Sequence, residues 1–135
     1  MKSFDTKIRV RYSETDQMGV VYHGNYFPYF EVGRVEWLRN QGISYKSLEQ
    51  RGIALPIAHV SIDYKAPAYY DDLLTVRTTL HHYQGVKISF DCEIFNETEQ
   101  LLTKARFLLV FLDLKTGKPT PPPADLLDML TQFEG

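Results

Sequence analysis

The sequence predicts an α+β protein in which one long helix follows a first strand and precedes four antiparallel strands. Three observations carry that reading. Apolar residues alternate from Phe4 to Tyr12, a polar and glycine-bearing stretch runs from Ser13 to Gly24, and from Tyr26 to about Gln41 the apolar period becomes helical.

In the first strand Phe4, Ile8, Val10 and Tyr12 share one parity, and Lys7, Arg9 and Arg11 take the other, as on a half-buried strand. Asn25 is placed to cap the helix that follows. Pro28 falls in the first turn, where the N–H it lacks would have had no intrahelical partner. Tyr26, Phe30, Gly33 and Trp37 form one stripe, widened by Phe27, Val35 and Leu38, so the helix is expected to be enclosed by a sheet. Gly42 suits its stop, and a short helical piece from Ser44 to Gln50 closes at Gly52.

Beyond Pro56 the period is two. Val60, Ile62 and Tyr64 alternate with polar residues, as do Leu74, Val76, Thr78 and Leu80, and then Val86, Ile88, Phe90, Cys92 and Ile94. The short connections imply antiparallel neighbours. Ala105 to Leu112 is apolar on both parities and is expected to be covered on both faces. Thr116-Gly117 makes a turn, and Ala124 to Leu130 forms a final amphipathic piece.

The 135 residues, 44% hydrophobic and 24% charged, suffice for one core, so the span 1–135 is read as one domain. Neither a signal peptide nor a membrane span is expected, since Met1 to Arg11 has no apolar run. Cys92 stands alone and alternates with apolar neighbours, which makes it a buried strand thiol and fits a cytoplasmic protein. A net charge of -2 gives no field for a polyanion, which argues against a nucleic-acid partner. No metal site is expected. His81 and His82 are adjacent, hence on opposite faces of a strand.

The segment from Tyr12 to Tyr26 concentrates Asp16, Tyr22, His23 and Asn25 where a strand meets a helix N-terminus. Such a terminus offers free N–H groups and a positive dipole end to a developing anion. An acyl-transfer reaction needs those donors together with a base or nucleophile, which Asp16 can supply. The competing reading is architectural: Asp16 caps a turn, His23 and Asn25 organise the helix start, and Tyr22 packs.

The run Glu14-Thr-Asp-Gln-Met-Gly-Val-Val-Tyr-His-Gly-Asn-Tyr26, followed by Phe30-Glu-Val-Gly-Arg34, resembles the signature of the 4-hydroxybenzoyl-CoA thioesterase family, including the acyl-CoA thioesterases encoded beside the Tol-Pal system. The resemblance implies a hotdog fold, a long central helix wrapped by a curved five-stranded antiparallel sheet, up to about Asp113. It leaves the C-terminal tail uncovered. It implies hydrolysis of an acyl-CoA to a free acid and coenzyme A. Asp16 then matches the catalytic carboxylate, as nucleophile or as general base, and the His23 main-chain N–H polarises the thioester carbonyl. Tyr22, Gly24 and Asn25 match the same substrate-binding loop, while Glu31 and Arg34 match a helix pair expected to form an i,i+3 salt bridge.

No cofactor is implied, because a thioester is already activated and coenzyme A is part of the substrate. His59 and Lys65 are further substrate-binding candidates, with Lys87, Lys104 and Arg106 also available to the coenzyme A phosphates. The resemblance further implies a homodimer or homotetramer, with an acyl carrier protein as a possible partner. Two alternatives compete with the hydrolase: a hotdog dehydratase, and a non-catalytic module that binds acyl-CoA or acyl carrier protein.

Overall fold

In chain order the protein forms β1 (Ser3–Arg9), α1 (Tyr26–Asn40), α2 (Tyr45–Gln50), β2 (Ile53–Ala54), β3 (Ile57–Tyr64), β4 (Leu73–Gln84), β5 (Lys87–Phe95), β6 (Leu101–Val110), β7 (Leu112–Asp113), β8 (Lys118–Pro119) and α3 (Ala124–Thr131). These belong to a computed structural model that describes residues 3–133. Met1, Lys2, Glu134 and Gly135, the ends of the expected domain span, lie outside the described residues.

The main sheet has the order β1-β4-β5-β6-β3, and every neighbouring pair is antiparallel. Its two faces differ as the alternation requires. On the inner face Leu74, Val76, Thr78 and Leu80 of β4 and Ile88, Phe90, Cys92 and Ile94 of β5 are all buried. On the outer face Asp5, Arg77, Glu93, Lys104 and Asp63 stand in one row across the five strands, with charges of alternating sign. Arg77 and Asp5 pair there at 2.9 Å.

Helix α1 lies on the inner face. Tyr26, Tyr29, Phe30, Gly33, Trp37 and Leu38 are buried, close to the stripe read from the sequence. Phe30 meets Phe107 at 5.2 Å between ring centroids, and Trp37 meets Phe90 at the same separation. Burying each large apolar side chain contributes roughly 1.5–3 kcal/mol, so this contact dominates the helix's stability. Gly33 sets how closely the helix approaches. A Cβ there would stand 2.7 Å from Thr78 Oγ1 and 2.8 Å from Val76 Cγ1.

The structure corrects two readings, adds a second sheet and bears out the final amphipathic piece as α3. Asn25 does not cap α1 through its side chain: it already has helical backbone angles, because a 3₁₀ turn over His23–Asn25 starts the helix a turn earlier, behind Tyr22. The run from Ala105 to Leu112 divides into β6 and β7, and Arg106 and Lys104 stay exposed on the charged outer face. A second sheet of order β2-β7-β8 joins segments too short to show a period. The tail is integral, since α3 buries Leu126 and Leu130 completely and Arg51 pairs with Asp125 at 3.0 Å. The expected short helix is present as α2, with Ser44 Oγ accepting the Ser47 N–H at 3.1 Å.

Candidate active site

The loop between β1 and α1 is fixed mainly by its own hydrogen bonds. Thr15 and Val21 form an antiparallel bridge, and Val20 forms another with Tyr69. Asp16 N–H donates to the Val20 carbonyl at 2.9 Å, and Gly19, at φ +79°, turns the chain back between them. Asp16 thus sits at the corner of a tight turn. Its Oδ1 accepts the Met18 N–H at 2.8 Å, and no other hydrogen bond to the carboxylate is formed among the described residues. The architectural reading of Asp16 is therefore correct for one oxygen, while the exposed carboxylate keeps the other available.

Glu14 is the hub that sequence reading passed over. Its carboxylate accepts from the Arg11 N–H at 2.7 Å and from Tyr29 Oη at 2.9 Å, and the Arg11 guanidinium pairs with it at 3.0 Å. Its carbonyl accepts from Tyr22 N–H at 3.0 Å and Asn25 Nδ2 at 2.8 Å. Burial by itself would raise the Glu14 pKa, but the Arg11 and Tyr29 bonds and the Arg11 charge hold it below its ordinary value. Burial, then the bond to Glu14, pushes the Tyr29 phenol up. Tyr29 lies on the helix stripe and looks like core; the signal available in sequence was its hydroxyl on a buried face.

Beside this turn lies a recess of ≈ 380 Å³ lined by Asp16, Val20, His23, Tyr26, Tyr64 and Lys65, among others. Asp16, His23 and Lys65 are thus brought together. The His23 and Gly24 N–H groups, at the start of the 3₁₀ turn, meet no acceptor among the described residues. Tyr64 Oη donates to the His23 carbonyl at 3.3 Å and ties β3 to the helix start. Burial raises the Tyr26 phenol above its ordinary value, so it enters the recess uncharged.

Tyr22, Gly24 and Asn25 do not line the recess; they shape it. The Tyr22 ring lies tilted against the His23 ring at 4.3 Å between centroids, a Cβ on Gly24 would come within 2.8 Å of the Tyr22 ring, and Asn25 holds Glu14. His59 is exposed at the bulge of β3, away from the recess. Among the phosphate candidates Arg106 is engaged by Asp91 at 2.7 Å, and Lys87 and Lys104 are exposed on the sheet. Cys92 is buried, and burial pushes its thiol up to about 12, which suits the inert role expected of it. His81 and His82 are both exposed because a bulge separates Leu80 from His82, and His81 lies 3.5 Å from Asp91.

Glu31 and Arg34 do not form the expected pair. No ion pair joins them; instead the Arg34 guanidinium lies over the Phe107 ring at 4.5 Å. Phe107 stands on the facing strand β6, so its pull on the guanidinium cannot be read from helical spacing.

A long helix buried on a five-stranded antiparallel sheet is the arrangement of the hotdog class. Residues 10–130 match the family model described as the thioesterase-like superfamily, which takes in most of the tail left uncovered by the motif. The chain is 37% identical over 128 residues to the putative acyl-CoA thioesterase YneP of Bacillus subtilis, covering 95% of this chain and 93% of that one. It is 33% identical to the acyl-CoA thioester hydrolase YbgC of Escherichia coli, with 92% of each chain covered. The solved structure of a DHNA-CoA thioesterase from Staphylococcus aureus superimposes with a TM-score of 0.96 at 33% identity, over 99% of this chain and 92% of that one. The chain belongs to the thioesterase-like superfamily of hotdog-fold proteins.

Proposed function

We propose that the recess beside Asp16 hydrolyses the thioester of an acyl-CoA, with Asp16 as the working carboxylate. The activity itself is that of an acyl-CoA thioester hydrolase, on the strength of 33–37% identity to such proteins over nearly the whole chain. The assignment of roles rests on one observation: the Asp16 carboxylate, with one oxygen that accepts no hydrogen bond among the described residues, shares a recess with His23, whose N–H meets no acceptor there.

The chemistry follows from the groups present. The carbonyl oxygen of the thioester accepts the N–H of His23, and the positive end of the helix dipole stabilises the charge that develops on it. Asp16 either takes a proton from the attacking water or itself attacks the carbonyl carbon to give a mixed anhydride that water opens. In both routes the C–S bond breaks, the coenzyme A thiolate leaves and takes up a proton, and the acid is released. A thiolate is a tolerable leaving group, so the route asks for no cofactor. Lys65 is the cation available to a coenzyme A phosphate at this recess.

The protomer leaves the outer edges of β1 and β3 open. The edge at β3 carries Ile57 and Tyr64, 42% and 49% exposed, and pairing it with a second copy would cover them. The assembly we propose is therefore a homodimer through β3, or a homotetramer of such dimers, located in the cytoplasm. No described helix is long and apolar enough to cross a membrane.

The test is release of coenzyme A, followed with a thiol reagent, across short, long and aromatic acyl-CoAs. Asp16→Asn lowers turnover by roughly 10²-fold or more and leaves the melting temperature nearly unchanged. Unfolding of the variant, or hydrolysis at the parent rate, would show that the carboxylate only caps its turn.

A further inference from the structure

Arg34 holds a charge in an unusual setting. It stands midway along α1 beside a second cavity, of ≈ 230 Å³, whose walls include Glu31, Tyr45, Leu55, Ile57 and Phe90. A guanidinium carries five N–H donors. None of them donates to an acceptor among the described residues, and Nη1 is wholly buried. Glu31 lies on the same wall but forms no ion pair, and the Phe107 ring faces the guanidinium at 4.5 Å. Burial works against the charge, lowering the Arg34 pKa. Buried donors without acceptors are rare in folded proteins, and charged ones are costlier still.

The cavity is also roomier than one satisfying water requires. Its volume is several times the ~30 Å³ that a water occupies in the liquid. Most of its wall is apolar, which suits a hydrocarbon body, and the guanidinium gives that wall a single strong donor. Its rim at Ile57 lies at the start of β3, whereas the Asp16 recess is rimmed by Tyr64 at the end of that strand. Antiparallel pairing of two β3 edges about the strand's middle sets Ile57 of one protomer opposite Tyr64 of the partner subunit. The two hollows then adjoin across the two-fold axis.

We propose that the Arg34 cavity receives the far end of the acyl group and selects acyl groups bearing an oxygen there, whether hydroxyl, carbonyl or carboxylate, on an apolar body. Arg34 is thus a specificity-determining residue: it donates to that distal oxygen while the thioester lies at Asp16 of the neighbouring protomer. The inference rests on the thioesterase reading and on the dimer through β3.

The experiment uses matched pairs of thioesters that differ only at the distal end: phenylacetyl-CoA against 4-hydroxyphenylacetyl-CoA, and hexanoyl-CoA against adipoyl-CoA. Binding is measured by calorimetry in the Asp16→Asn protein, in which turnover is suppressed. The oxygen-bearing member of at least one pair is expected to bind roughly 10- to 100-fold more tightly, the range for a hydrogen bond from a charged donor. Adding Arg34→Met brings that ratio to within about twofold of unity, and Arg34→Lys retains part of it. Equal affinity for both members of both pairs overturns the proposal without any Arg34 variant, so it stays testable if Arg34→Met does not fold. A preference that survives loss of the guanidinium overturns it as well, and leaves a water as the partner of Arg34. Turnover of the bare members by the parent protein separates the two readings. Discrimination without hydrolysis sinks the thioesterase mechanism alone, and hydrolysis without discrimination sinks this inference alone.

Discussion

The recess at Asp16 and the cavity at Arg34 lie toward opposite ends of β3 and hold their charges in opposite ways. Asp16 is exposed, and a main-chain N–H two residues away holds one of its oxygens. Arg34 is half-buried with no hydrogen-bond acceptor among the described residues, and an aromatic face from strand β6 lies against it. The first arrangement orients a carboxylate and leaves it open to solvent, as the proposed attack on a carbonyl or activation of water requires. The second keeps donors unsatisfied until an acceptor arrives, as recognition requires. The difference also shows in how each is built: one from bonds within a short loop, the other from α1, α2, β3, β5 and β6.

That contrast can be broken most directly at Asp16. If the recess performs the chemistry, Asp16→Asn loses its two orders of magnitude in kcat, with KM changed far less, because the carboxylate acts mainly in the transition state. A loss confined to KM would make Asp16 a binding group and erase the distinction from Arg34.

The next largest effect is on the helix that both hollows share. Gly33→Ala drives a methyl group against Val76 and Thr78, two stiff β-branched side chains, and is expected to cost about 1–3 kcal/mol of stability in a denaturant titration. Because the helix must lift from β4, both hollows should loosen together. Selective damage to one would show that they are mechanically separate.

Glu14→Gln tests the loop alone. It weakens three bonds at one carboxylate, and a stability loss of about 1–2 kcal/mol is expected near neutral pH. The sign of its pH dependence is fixed. The folded-state pKa lies below the ordinary value of 4.5, so the contribution is present above that value and is lost as pH falls through the folded pKa. A parent-minus-variant stability difference that instead grew on acidification would contradict the hydrogen-bonded hub.

The smallest effect concerns His23. Since its main-chain N–H is the proposed donor, His23→Ala should change turnover by no more than about threefold, measured as coenzyme A release. A hundredfold loss would give the imidazole a chemical role and make the recess a two-side-chain site.

Much of this was legible in the residues. The stripe of Tyr26, Phe30, Gly33 and Trp37 announced a buried helix because apolar residues three and four apart gather on one side of a helical turn, and the alternation in β4 and β5 fixed which face is wet. The Asp16 turn was equally readable, since its partners lie within a few residues. Asn25 misled because its side chain was taken by Glu14, eleven residues back. The second sheet was invisible because strands of two residues carry no period.

By itself, then, the sequence determined the α+β class, the enclosed helix and the turn that presents Asp16, all of which depend on spacing along the chain. Only the tertiary structure decided that Glu14 ties the loop to Tyr29, that α3 completes the core, and that Arg34 faces Phe107 rather than Glu31. Those outcomes turn on which distant side chain arrives within a few ångströms, and short-range forces between packed groups leave no periodic trace in the order of residues.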